Sequence, residues 1–143
     1  MLAVNAPHSQ RLQMSLGSME RAIALTKNYV RERKAFGKPL GHNQYVYFEL
    51  SKLISEIEAL RYLAYECVRQ YASGQDMTRL ASMAKLKSGL LSRQVADTCL
   101  QFHGGMGYVE EYPIARYFRD IRLWAIGGGA DEVMMEVIAK FEG

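Results

Sequence analysis

The clearest pattern in the chain is a run of apolar residues spaced alternately four and three apart: Val46, Leu50, Leu53, Ile57, Leu60, Ala64, Cys67 and Tyr71. That spacing puts them on one stripe of a helix and predicts one from about Asn43 to Tyr71. So long and regular a stripe suits a long antiparallel bundle. Leu12, Leu16, Met19, Ile23 and Val30 make a second stripe and predict a helix from about Ser9 to Arg33. Arg31, Arg33 and Lys34 suit the negative end of its dipole, and Gly37-Lys38-Pro39 breaks it. Ser73-Gly74-Gln75 closes the next helix, and Asp76 is the expected N-cap of a third that runs to about Phe102. That third helix is apolar on two faces, with Leu80, Ala84, Leu91 and Val95 on one and Met83, Leu86 and Leu90 on the other. Two buried faces predict a central or interface position. Gly104-Gly105-Met106-Gly107 ends it, a short helix is expected over Pro113 to Asp120, and Gly127-Gly128-Gly129 precedes a last helix from Asp131 to about Phe141. Pro7, Pro39 and Pro113 all fall at predicted boundaries. There is no internal repeat and no strand-like alternation. The reading is all-α, one domain over 1–143, with three long helices and two shorter ones.

Composition narrows the function classes. A chain of 143 residues has a one-domain length, and 49% apolar residues suffice for a core. A net charge of +3 is too small to imply a nucleic-acid partner. No apolar run approaches a membrane span, and Met1-Leu2-Ala3-Val4 lacks the pattern of a signal peptide. Cys67 and Cys99 have no metal-ligand spacing and fall at apolar helix positions, so they are expected as buried, reduced thiols in a cytoplasmic setting. His8, His42 and His103 are scattered, so no metal site is expected, and no nucleophile–base constellation is visible.

Three segments carry chemistry, the first two with a plainer reading beside them. Arg31-Glu32-Arg33-Lys34-Ala35-Phe36-Gly37 puts a basic cluster and an aromatic at a helix end, where they would grip a phosphate or simply match the dipole. Gln101-Phe102-His103-Gly104-Gly105-Met106-Gly107-Tyr108 exposes backbone amides after a helix, for a ligand or as a mere helix stop. Ile126-Gly127-Gly128-Gly129-Ala130-Asp131-Glu132 is a glycine turn opening a helix. Asp131 and Glu132 argue there against a bare phosphate and for a hydroxyl-bearing ligand such as a ribose. Alone, the first two segments favour their plainer reading.

Taken in order, they do not. Arg-Lys-Ala-Phe-Gly-Lys from Arg33, then Gln44, then Gln101 to Tyr108, then Glu111-Tyr112-Pro113, Arg119-Asp120 and the last glycine turn resemble the C-terminal domain of acyl-CoA dehydrogenases. The resemblance covers the chain from about Pro7 to its end. It implies an up-and-down four-helix-type bundle. Full members add an N-terminal helical domain and a middle β-domain. It also implies FAD as cofactor, acyl-CoA as substrate, assembly as a dimer or tetramer or with a chain carrying the other domains, and an electron-transfer flavoprotein as partner. By motif, Arg33, Phe36 and Gln44 match contacts to the diphosphate and adenosine half of FAD from a neighbouring subunit. Gln101, His103, Gly104 and Gly105 match residues lining the same cofactor, and Ala130 and Glu132 match a further flavin-contact pair. The family more often has Thr at the Ala130 position. Gly128 and Gly129 match positions facing the substrate.

The family reaction is α,β-desaturation of an acyl-CoA thioester, in which a carboxylate removes the α-proton. One branch places that glutamate in the turn before the last helix, where this chain has Gly128. Another places it near the start of the first helix, where this chain has Pro7 followed by His8. Glu20 lies about three turns further on and does not match. No catalytic residue is therefore assigned. The base lies elsewhere in a larger protein or on a partner chain, or the chain is a relative that binds flavin without dehydrogenating; the rival function is a non-catalytic assembly module.

Overall fold

The computed structural model describes residues 2–143, with side-chain surroundings from residue 10 onward. Five helices carry the fold: α1 (Leu2–Glu32), α2 (Gln44–Ala72), α3 (Thr78–His103), α4 (Pro113–Asp120) and α5 (Asp131–Glu142). Short 3₁₀ turns cover Leu40–His42, Gly104–Tyr108 and Ile121–Ala125. The all-α reading holds, with one small exception. β1 (Lys34–Ala35) and β2 (Lys38–Pro39) form a two-residue antiparallel hairpin, too short for any alternation to announce it.

The stripe on α2 is buried from Val46 to Cys67, and only Tyr71, in its last turn, is exposed. It packs with Leu12, Leu16, Met19, Ile23 and Val30 of α1 and Ala84, Leu91, Val95 and Cys99 of α3 into one core. Each fully buried Leu or Ile contributes roughly 1.5–3 kcal/mol, so these stripes hold the bundle together. α3 is central, touching α1, α2, α4 and α5. Its second buried seam is not the one expected. Leu90 is exposed, whereas Ser88, Gly89, Ser92 and Ala96 are buried. These small residues let neighbouring backbone come close, and Ser88 Oγ meets Ser15 Oγ at 2.6 Å.

Helix ends differ from expectation in two places. α1 starts at Leu2 rather than Ser9, so Pro7 lies inside it rather than at its boundary. Proline already has a helical φ, and there it forfeits one backbone bond, to the carbonyl four residues earlier. α3 starts one residue later than a cap at Asp76 predicts, with Met77 in the cap position. The Asp76 carboxylate still satisfies the helix end, accepting from the Thr78 amide at 2.9 Å and the Thr78 hydroxyl at 2.6 Å. Asn43 caps α2 by accepting from the Tyr45 amide at 3.0 Å, and Pro113 sits in the first turn of α4, where no amide proton is needed.

Candidate functional site

The residues singled out by sequence gather at two places. The first is where α1 ends and α3 ends. After α1 the chain reverses through Phe36 (φ 52°) and Gly37 (φ 79°), and the Leu40 amide returns to the Arg33 carbonyl at 2.8 Å. Positive φ is costly for Phe36, by about 1–2 kcal/mol, and its ring is held fully exposed. α3 stops at Gly104, whose φ of 58° and ψ of −143° suit glycine alone. The turn that follows is packed tightly: a Cβ on Gly107 would lie 2.9 Å from both the Leu100 carbonyl oxygen and His103 Cβ.

Between these two chain reversals lies an open cavity of about 460 Å³. Arg33, Gln101, His103, Gly104 and Gly105 all line it. Phe36 and Gln44 do not, although both lie on the segment that forms its rim. His103 belongs to the wall rather than the opening. Its ring is buried, stacks on Tyr29 with centroids 4.3 Å apart, and donates from Nδ1 to the Cys99 carbonyl at 2.8 Å. The Tyr29 hydroxyl donates to the His103 carbonyl at 3.1 Å, and Tyr112 meets both rings edge-on. Burial pulls the His103 pKa below its ordinary value, so the ring is neutral at pH 7. The cavity thus offers one cation, Arg33, with exposed glycine backbone at Gly104 and Gly105, against an aromatic wall. Sequence reasoning missed Tyr29, which stands one helical turn before Arg33 on the same face.

The second place is the turn before α5. Gly128 and Gly129 have φ of 74° and 104°. The guanidinium of Arg11 occupies the space that a side chain on Gly128 would take. Ala130 is the N-cap of α5 and makes no side-chain cap bond, and Glu132 is exposed in its first turn. Asp131, expected to face a hydroxyl ligand, instead points inward. It is buried, with Lys85 Nζ at 3.4 Å from Oδ1 and an Arg93 terminal nitrogen at 3.1 Å from Oδ2. Gly89 makes room for it, since a Cβ there would stand 2.6 Å from Oδ1.

The two places are far apart. Arg11 on α1 and Arg33, the residue that follows the helix, mark them twenty-two residues apart, which at 1.5 Å per residue is about 33 Å. Glu20 joins neither; it is ion-paired with Arg61 in the groove between α1 and α2. Pro7 lies on α1, while its side-chain surroundings and those of His8 fall outside the described residues. Both cysteines are buried and free, with thiol pKa values pushed up to about 11 by burial. Among the described residues no three His, Cys, Asp or Glu side chains cluster as metal ligands, and no helix is long and apolar enough to cross a membrane.

Comparison with known proteins adds a lineage to this geometry. The profile described as acyl-CoA dehydrogenase, C-terminal domain, matches residues 5–142. The long-chain specific mitochondrial acyl-CoA dehydrogenase of Sus scrofa is 39% identical over 128 residues, which is 90% of this chain and 30% of that protein. An acyl-CoA dehydrogenase structure from Geobacillus kaustophilus superposes with a TM-score of 0.94 at 34% identity, covering 97% of this chain and 37% of that one. Butyryl-CoA dehydrogenase from Megasphaera elsdenii gives 0.93 at 32% identity, over 97% and 36% of the two chains. The chain therefore spans about a third of the length of the relatives it matches.

Proposed function

The chain belongs to the acyl-CoA dehydrogenase family as its C-terminal helical domain, and from that premise we propose that it binds one portion of FAD in the cavity between the ends of α1 and α3. The observation that carries the proposal is the convergence there of Arg33, Gln101, His103, Gly104 and Gly105, residues separated by up to seventy-two positions in sequence. The donor set suits a dinucleotide. Arg33 provides a planar fork for diphosphate oxygens, the glycine backbone permits close approach, and the Tyr29–His103 stack is an apolar wall. His103 acts as a positioning residue, because its ring is committed to Tyr29 and the Cys99 carbonyl. Phe36, fully exposed on its hairpin, and Gln44 at the start of α2 reach beyond the cavity toward protein outside this chain.

Ala130 and Glu132 follow the glycine turn that packs on Arg11, and Arg11 stands about 33 Å along the chain of α1 from Arg33 at the cavity, a long span for one bound dinucleotide. Two cofactor copies, each shared between neighbouring subunits, reconcile the two groups, which favours a homo-oligomer or a pairing with a chain that carries the other domains. The whole assembly would desaturate an acyl-CoA thioester and pass electrons to an electron-transfer flavoprotein. FAD, when bound, supplies the hydride acceptor. This chain's own share is to hold that cofactor and shape the turn at Gly128 and Gly129, and the base comes from outside that turn. The two free, buried thiols agree with a reducing, cytoplasmic setting.

The test is to purify the chain alone and with a chain supplying the missing domains, and to measure visible flavin absorbance. Flavin that co-purifies at a fixed ratio supports the reading. A colourless protein that still forms stable tetramers and turns over no acyl-CoA favours the assembly-module alternative.

A further inference from the structure

The face of α2 opposite its buried stripe carries Phe48, Ser51, Ser55, Ala59 and Tyr62, spaced three or four apart and all exposed. Their order is palindromic about Ser55. Phe48 and Tyr62 stand seven residues to either side of it, and Ser51 and Ala59 stand four. Tyr45 and Tyr65, on the flanks of the face, stand ten to either side. These four aromatic side chains are each at least 49% exposed, and aromatics gathered in that number on one helix mark an interaction surface. Charge follows the same symmetry with its sign reversed: Lys52 precedes Ser55 by three residues, and Glu58 follows it by three. Lys52 now pairs with Glu49, and Glu58 with Arg61, each one turn away on the same helix. Pairs of that kind add little to stability and yield to a better partner.

We propose that this face binds a second copy of the chain, with α2 lying antiparallel to its own image across a two-fold axis at Ser55. An isologous contact requires one patch to be complementary to itself about the axis, and this patch is. The antiparallel image sets Phe48 against the second copy's Tyr62 and Ser51 against its Ala59, while Ser55 meets Ser55. Lys52 stands level with the second copy's Glu58, and the same pair recurs on the other side of the axis. The small residues at the centre let the two helices approach to about 8 Å, the close end of the usual range, and the aromatics close the two ends. A parallel image would instead set Lys52 against Lys52 and Glu58 against Glu58. A different protein would require no symmetry in the face at all. The proposal gives the homo-oligomer reading a specific surface and rests on nothing about flavin.

The test uses the full chain. Ser55→Cys places one thiol on the axis, so each copy meets its own equivalent within disulfide reach. Mild oxidation should turn this variant into a disulfide-linked dimer. Ser73→Cys, at the end of α2 and about 54 Å from its image in the same arrangement, should stay unlinked. Wild type should not link either, because Cys67 and Cys99 are buried. Sedimentation equilibrium should show wild-type self-association, weakened roughly tenfold or more in Lys52→Glu and regained in Lys52→Glu/Glu58→Lys. Far-UV circular dichroism checks that each variant folds. An oligomer whose Ser55→Cys form links no faster than Ser73→Cys overturns this face and leaves the homo-oligomer reading standing. So does unchanged association in Lys52→Glu, or a double variant as weak as the single one. A wild type that stays monomeric overturns both. A linked dimer that carries no flavin keeps the face and removes the cofactor reading alone.

Discussion

Replacing Asp131 with alanine removes the carboxylate that faces Lys85 and Arg93 where α5 docks on α3. The side chains of Asp131 and Lys85 are only 6% and 11% exposed, so water reaches that pair poorly. Breaking a buried pair by deleting one partner typically costs about 3–5 kcal/mol, because the other charge is left desolvated. Two features reduce that here. The Lys85 contact is long, at 3.4 Å, and the Arg93 side chain is 37% exposed and can rehydrate. The expected loss is therefore about 2–4 kcal/mol, which for a domain of this size lowers Tm by roughly 10 °C. Urea unfolding followed by far-UV circular dichroism measures it, as a shift in midpoint at unchanged slope. Gly89→Ala supplies the cross-check. Its new Cβ would press on Asp131 Oδ1, so it should destabilise alone and cost much less once Asp131 is alanine. Coupling of about 1 kcal/mol or more is expected between neighbours sharing one space. A loss below about 1 kcal/mol for Asp131→Ala, or strict additivity with Gly89→Ala, would refute the reasoning.

Three further outcomes follow from the core and the cavity wall. Because burial lowers the His103 pKa, the folded state binds that proton less tightly than the unfolded state does. Stability should be full above the ordinary value of 6.5 and fall as pH drops through it toward the folded-state value; urea midpoints across that range should show the slope, and His103→Phe should flatten it. Cys67 and Cys99, with pKa values near 11, should resist a thiol reagent at mildly alkaline pH until denaturant unfolds the chain. Gly107→Ala should cost about 1–3 kcal/mol, since its Cβ meets the Leu100 carbonyl and His103, and faster amide exchange over Gly104–Tyr108 would show it.

Apolar periodicity made the bundle legible, because the α2 stripe is long and its spacing strict. The same signal misplaced the second face of α3. That seam is built from Ser88, Gly89, Ser92 and Ala96, which bury by being small and leave almost no trace in an apolar pattern. The cavity residues were readable only as an ordered family series; nothing in spacing alone brings Arg33 to Gln101 or Gly105. Tyr29 escaped because a lone tyrosine on a half-buried face looks like packing. Asp131 was read as a ligand contact because its partners, Lys85 and Arg93, stand forty-six and thirty-eight residues earlier. Long-range pairing of that kind is set by tertiary packing, which local sequence does not encode.

The central claim is that FAD is held in the cavity between α1 and α3. Gly105→Leu tests it most directly, because a Cβ at Gly105 meets nothing within 4 Å, so the larger side chain enters open space and not the core. Flavin binding to the assembled protein should weaken roughly tenfold or more in this variant, and likewise in Arg33→Ala, while helicity and unfolding midpoint stay at the wild-type level. Wild-type flavin affinity in both variants would contradict the account.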